Sequence, residues 1–154
     1  MCDQIATPLN NTLYRYLVDL EVRRAVRYSR FFSISHIGLD HTCKDDHGIL
    51  NTTVDIVREV IRETDVLGYL GDGIFSVLLH NTDAQQASLV SNRIRNRIAE
   101  QTFISEGKPL HKTASIGSAC FPTHSNDPNA LLLKADEMLE IARLQGGNTV
   151  AIPD

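Results

Sequence analysis

No apolar run in this 154-residue chain approaches the roughly 20 residues that a membrane-spanning helix needs. The opening Met-Cys-Asp-Gln lacks the basic and apolar regions of a secretion signal. Both absences predict a soluble, cytoplasmic protein with no membrane insertion. Cysteine is scarce: Cys2, Cys43 and Cys120 are odd in number, widely spaced and in no C-x-x-C pair, which argues against a disulfide framework or a zinc module and fits a reducing compartment. There is no overall basic field, since the net charge is -4 and the pI about 5.8. Duplex nucleic acid is therefore not an expected partner, although a local cationic patch is allowed. Internal repeats, linkers and low-complexity tracts are also missing. One domain over 1–154 is expected, large enough to bury about two-thirds of its unfolded surface.

What is present is organised around Arg62-Glu-Thr-Asp-Val-Leu-Gly-Tyr-Leu-Gly-Asp-Gly-Ile-Phe-Ser-Val-Leu-Leu79. Val66 to Leu70 and Phe75 to Leu79 are apolar and β-compatible, and Gly71-Asp72-Gly73 between them supplies the positive-φ residues of a tight hairpin turn. By residue type alone the triplet is turn chemistry.

Around this hairpin the pattern predicts further elements. Leu13, Tyr16, Leu17, Leu20, Val22, Ala25, Val26 and Tyr28 recur near helical spacing over Asn11 to Arg30, with Asn10 or Asn11 as N-cap. Arg15, Arg23, Arg24, Arg27 and Arg30 fall on the other face and read as a solvated face. Phe31 to Leu39 alternates as a central strand ending at Asp40. Leu50, Val54, Val57 and Ile61 predict a helix from Gly48 or Asn51 to Glu63, with Arg62 and Asp65 on one face at its end, where the plain reading is an ordinary intrahelical ion pair. Thr82-Asp83 caps a helix through Glu100 with Ala87, Leu89, Val90, Ile94 and Ile98 inside; Arg93, Arg95 and Arg97 come from it, and as residues they read as surface arginines. Lys112 to Phe121 is a strand between loops at Gly107–Pro109 and His124–Pro128, followed by a helix over Pro128 to Leu144 and a closing strand at Thr149 to Ile152. His36, Asp40, His41, Asp45, Asp46 and His47 lie close in sequence, but no spacing among them fixes a tetrahedral metal site.

Arg62-x-x-Asp65, five residues, Gly71-Asp72-Gly73-Ile74-Phe75 and an apolar strand together resemble the GGDEF domain of bacterial diguanylate cyclases. Thr7-Pro8-Leu9-Asn10-Asn11 keeps part of that family's L-T-G-L-x-N-R opening. Thr113-Ala114-Ser115-Ile116-Gly117 and Ala135-Asp136-x-Met138-Leu139-x-x-Ala142-Arg143-x-x-Gly146-Gly147-Asn148 resemble its later markers. The resemblance spans nearly the whole chain and implies an α/β fold, a central mixed and largely antiparallel sheet of about five strands with helices on both faces.

The resemblance implies that Arg62 and Asp65 form the site at which the family binds cyclic di-GMP: Arg62 grips guanine or phosphate, and Asp65 accepts from the guanine N1-H and N2-H. Arg93 matches an arginine that completes this site from a neighbouring domain, which admits a homodimer. The catalytic half departs from the family. G-G-[DE]-E-F reads G-D-G-I-F, and D-[IV]-D-x-F-K, whose first Asp holds magnesium, reads Gly38-Leu39-Asp40-His41-Thr42-Cys43. The guanine-binding loop is shortened, with His47 at its final Asp; Gly147 has lost an arginine, while Arg143 keeps a cation. Magnesium at a phosphoryl-transfer site needs an anionic protein oxygen, which glycine cannot supply. The expectation is a catalytically inactive GGDEF domain without cofactor or magnesium, acting as a cyclic di-GMP receptor through Arg62 and Asp65. The alternative is a protein-interaction module with relic nucleotide sites whose partner is another signalling or regulatory protein; residual GTP binding or cyclase activity is a third reading.

Overall fold

The computed structural model describes residues 7–41 and 46–154; of the residues singled out above, Cys2, Thr42, Cys43 and Asp45 lie outside these ranges. The described elements run α1 (Asn11–Tyr28), β1 (Phe32–Leu39), α2 (His47–Val60), β2 (Val66–Gly71), β3 (Ile74–His80), α3 (Ala84–Glu100), β4 (Thr102–Ser105), β5 (Lys108–His111), β6 (Ala114–Phe121), α4 (Pro128–Leu144) and β7 (Val150–Ala151). Five strands form one sheet in the order β2-β3-β1-β6-β7, antiparallel except for the parallel pairing of β6 with β7. Helices cover both faces, as expected for the fold.

β1 is central and buried along its whole length, so its alternation divides the core in two. Phe32 and Ile34 pack with α1 and α4, while Ile37 and Leu39 pack with α2 and α3. On the second face three buried hydroxyls meet: Ser35 on β1 lies 2.9 Å from Ser91 on α3 and 2.6 Å from Ser118 on β6. On the first face α4 rests directly on β6 at Gly117, where a Cβ would stand 2.1 Å from the Leu139 amide nitrogen.

The β2–β3 hairpin forms as its residues dictate. Gly71 pairs with Ile74 across Asp72 and Gly73, whose φ angles of 55° and 77° give the two-residue turn that matches strand twist. The Tyr69 hydroxyl accepts from the Gly73 N–H at 2.9 Å and braces the turn from below.

Three local readings need correction. The helix read as running to Glu63 starts at His47 behind an Asp46 cap and stops at Val60, because Ile61 is already extended (φ -83°, ψ 163°). Arg62 and Asp65 consequently sit in a turn closed by the Asp65 N–H donating to the Arg62 carbonyl at 3.0 Å, and not on a helix face. The Gly107–Pro109 loop is part of a separate β4–β5 hairpin, turning at Glu106 and Gly107 (φ 52° and 76°), with Pro109 inside β5, a short two-stranded ribbon with an open edge where a missing amide is tolerated. On α1 the buried stripe is Tyr14, Val18, Val22 and Ala25, so Leu13, Tyr16, Val26 and Tyr28, read as inward, are exposed.

Candidate ligand-binding site

Two clefts open at opposite ends of β1. The first, about 310 Å³, lies between the end of α2 and the start of α3 and is lined by Arg62, Asp65, Thr82, Leu89, Val90 and Arg93, among others. Sequence reasoning placed Arg62, Asp65 and Arg93 together, and one cleft does hold all three. Their chemical states differ. The Asp65 side chain is only 2% exposed: Oδ2 accepts from the Arg62 N–H at 2.9 Å and Oδ1 from the His80 N–H at 3.1 Å, tying the turn to the end of β3. A carboxylate so used is first a clamp on backbone amides, with one Oδ1 lone pair left over.

Arg62 is 56% exposed, and its guanidinium donates to Thr82 Oγ1 at 2.9 Å and to the His80 carbonyl; its Nε is 3.4 Å from Asp65 Oδ2. The planar fork is thus held at the cleft edge with part of its surface open. Arg93 is exposed and makes no ion pair or hydrogen bond with the described residues. Leu89, read from the sequence as inward, is 65% exposed and adds an apolar surface beside the two arginines. A cleft lined by two arginines and one buried, engaged carboxylate, next to an aliphatic wall, suits an anion that carries a flat apolar or aromatic part. Sequence reasoning missed His80 and Thr82, which hold the Arg62 fork, and Glu21 of α1, whose Oε2 is 3.6 Å from His80 Nδ1. Only the Thr82-Asp83 cap signal pointed to any of them; nothing in the pattern links α1 to this site.

The second cleft, about 550 Å³, opens where β1 ends and is lined by Asp40, His41, Asp72, Ile74, Arg143 and Gly147, among others. Asp40 is buried and engaged: it accepts from Thr113 Oγ1 at 2.6 Å, Ser115 Oγ at 2.8 Å and the Asn148 N–H at 3.0 Å, fastening β1 to β6 and to the turn before β7. At Gly38 a Cβ would lie 2.5 Å from a guanidinium nitrogen of Arg143. A cation therefore rests where an acidic side chain would have to start. Among the described residues no three His, Cys, Asp or Glu side chains group to hold a metal ion. The carboxylates lining the cleft are Asp40, already engaged, and Asp72.

Of the described histidines and acids weighed as a metal cluster, Asp40 and His41 line this cleft and the others lie elsewhere. Asp46 caps α2, and His36 is fully buried, its Nδ1 2.6 Å from Asp136 Oδ1 on α4, with Nε2 unpartnered among the described residues. The His36 hydrogen bond holds the Asp136 carboxyl below the usual carboxylate range, against its partial desolvation. A depressed carboxylate pKa stabilises above the unfolded value of about 3.9, and that contribution is lost as pH falls through the folded pKa. Asp136→Asn should flatten the acid limb of a urea-midpoint profile taken from neutral pH to below about pH 3. An acid limb as steep as that of the wild type would count against this pairing.

The chain matches the family model described as diguanylate cyclase, GGDEF domain over residues 41–149. It is 28% identical over 104 residues to diguanylate cyclase A of Treponema denticola, covering 68% of this chain and 28% of that protein. Curated relatives of this kind are longer, and the chain spans between 19% and 37% of their length. Among solved structures, the GGDEF domain of TpbB from Pseudomonas aeruginosa superposes with a TM-score of 0.87 at 22% identity, covering 97% of this chain and 92% of that one. The coiled coil and GGDEF domain of DgcB from Caulobacter crescentus, solved in complex with c-di-GMP, gives 0.84 at 15% identity, covering 97% and 84%. Among the described residues no helix is long and apolar enough to cross a membrane.

Proposed function

Starting from the chain's membership of the GGDEF family of diguanylate cyclase domains, we propose that it is a catalytically inactive member that serves as a cytoplasmic receptor for cyclic di-GMP. The observation that carries this reading is the cleft lined by both Arg62 and Arg93, with Leu89 beside them. Cyclic di-GMP is doubly anionic with two flat guanines, and it needs planar cations for phosphate or a guanine edge and an apolar surface for the rings. Arg62 is the primary contact. Asp65 fixes the turn that presents it and offers its remaining Oδ1 lone pair to guanine N–H groups. Arg93 is the weaker contact, from the same chain or from a second copy. The complex of DgcB with c-di-GMP gives the ligand a precedent within the fold.

Inactivity rests on the other cleft. Gly38 contributes no carboxylate, Arg143 places positive charge over it, and Gly73-Ile74 replaces the acids of the family's hairpin. The family's metal-holding carboxylate is thus missing, and the neighbouring Asp40 is already engaged by Thr113, Ser115 and the Asn148 N–H.

The test has two parts. Incubation with GTP and magnesium should give no cyclic di-GMP above a protein-free control; product would overturn the inactive reading. Calorimetry should show cyclic di-GMP binding that weakens at least about tenfold, or roughly 1.4 kcal/mol, in Arg62→Ala. Arg93→Ala should weaken it less, with an effect that grows with protein concentration if a second copy supplies the arginine. No binding by the wild type would shift the reading to a protein-interaction module with relic nucleotide sites.

A further inference from the structure

A third cavity, about 450 Å³, lies on the α1 and α4 side of the sheet and is lined by Val26, Arg30, Phe31, Phe121, Pro122 and Asn126, among others. Its floor is apolar, and the residues around it are unusually open for their type. Val26 is 66% exposed, Tyr28 58% and Phe31 41%, three large apolar side chains within six positions. Single exposed apolar residues are ordinary; a concave group of them marks a contact surface. Ser29 takes the left-handed cap conformation (φ 54°, ψ 46°) and turns the chain so that Arg30 and Phe31 line the same groove as Val26.

Positive charge stands at one end of the groove, where Arg30 lines it and Arg27 shares the Tyr28 ring with Arg30, although the chain carries a net charge of -4. Arg23 is paired with Asp19 at 2.9 Å, but Arg24, Arg27 and Arg30 are exposed and meet no carboxylate of the described residues. Arg27 and Arg30 hold their guanidinium carbons 5.6 and 5.5 Å from the Tyr28 ring centroid, which stacks both heads on one aromatic surface. Asp127, next to Asn126 of the lining, is used as the α4 cap on the Ala130 N–H. Arg27 in the last turn of α1 is explained by the helix dipole; the open Val26, Phe31 and unpaired Arg30 are not.

We infer that this groove is a docking surface for an acidic segment of a partner protein, which places a large apolar or aromatic side chain in the groove and its carboxylates on Arg30 and on Arg27 beside it. The occupant follows from charge and shape. Bidentate guanidiniums select carboxylates, and a concave apolar floor selects an inserted side chain. A membrane surface is disfavoured, since lipid insertion calls for protruding apolar residues, whereas Val26 and Phe31 line a concave groove. This surface is separate from the cleft at Arg62 and does not depend on cyclic di-GMP.

The probe is a fluorescein-labelled peptide of about ten residues, a Leu-Phe pair flanked by glutamates, titrated with the full chain and followed by anisotropy and amide chemical shifts. Binding is expected with a Kd below about 1 mM at low salt, weakening at least about fivefold when salt is raised to about 0.3 M. Shifts should centre on Ala25, Val26, Ser29 and Phe31. Replacing Leu-Phe by Ser-Ser in the peptide, or Val26→Asp in the protein, should each weaken binding at least about tenfold. Because Val26 is exposed, Val26→Asp should melt as the wild type does; Arg30→Ala, expected to weaken binding at least about threefold, is the second variant. Equal affinity for the Ser-Ser peptide, indifference to Val26→Asp, or absence of binding at millimolar peptide overturns the inference. So does displacement of the peptide by cyclic di-GMP, which would locate it in the Arg62 cleft, or preferential capture by phosphatidylserine vesicles.

Discussion

Gly117→Val should lower the unfolding free energy by more than about 3 kcal/mol and the melting temperature by roughly 10 °C. The reason is what a side chain at that position would strike. A Cβ there would stand 2.1 Å from the Leu139 nitrogen, 2.4 Å from the Ala135 carbonyl oxygen and 2.6 Å from the Met138 carbonyl carbon, all main-chain atoms of α4. Backbone cannot swing aside as a side chain can, so the helix must lift from β6 and open the contacts of Leu131, Leu132, Ala135 and Leu139. Gly38→Ala is the contrast. Its nearest atoms belong to the end of the Arg143 side chain, which can rotate into the open cleft, so the expected loss is under about 1 kcal/mol. Equal losses from urea unfolding of the two variants would refute this account of how α4 meets the sheet.

Asp65→Ala should cost about 3 kcal/mol and abolish ligand binding at the first cleft together with it. The carboxylate receives the main-chain N–H groups of Arg62 and His80, and alanine leaves both amides without their acceptor in a partly buried place. The ion pair adds little to this figure, since the Arg62 side chain is more than half exposed. Asp65→Asn separates the two roles. Its amide oxygen keeps one of the accepting contacts, so stability should fall by about 1 to 2 kcal/mol while the uncharged group weakens the hold on guanine N–H donors. Hydrogen exchange at the His80 amide reports the clamp, and calorimetry with cyclic di-GMP reports the site. Wild-type stability in Asp65→Ala would show that the carboxylate does not hold the turn.

Much of the fold was legible because its signals are local. The Asp72-Gly73 turn, the Asp83 cap with Gln86 and the apolar run of β1 state their conformations in residue type. The misreadings came where burial and tertiary contact decide. On α1, Val26 and Tyr28 have the same apolar character as Val22, and only packing against the sheet shows which of them face it. Pro109 looked like a break because an open ribbon edge cannot be recognised before the strands are assembled. At the candidate site, Arg62, Asp65 and Arg93 came from family spacing, and the structure gathers them in one cleft. The division of labour among them was invisible. Whether a carboxylate is open to a ligand or engaged by amides depends on His80, 15 positions away in the chain. The same holds for His36 and Asp136, whose contact spans 100 positions.

The three hydroxyls of Ser35, Ser91 and Ser118 bear on how accurately Arg93 can be aimed. Apolar side chains tolerate sliding past one another with little change in energy, but a closed ring of hydroxyls in a dry interior does not, because any displacement of α3 strands a donor or an acceptor. Ser91 therefore acts as an index mark that fixes the rotation and axial position of the helix against β1 and β6. Arg93 lies two residues further along the same helix. Replacing all three serines by alanine would leave a core that still excludes water, yet one in which α3 has several nearly equivalent resting positions. The arginine would then sample a spread of locations where the native chain holds one.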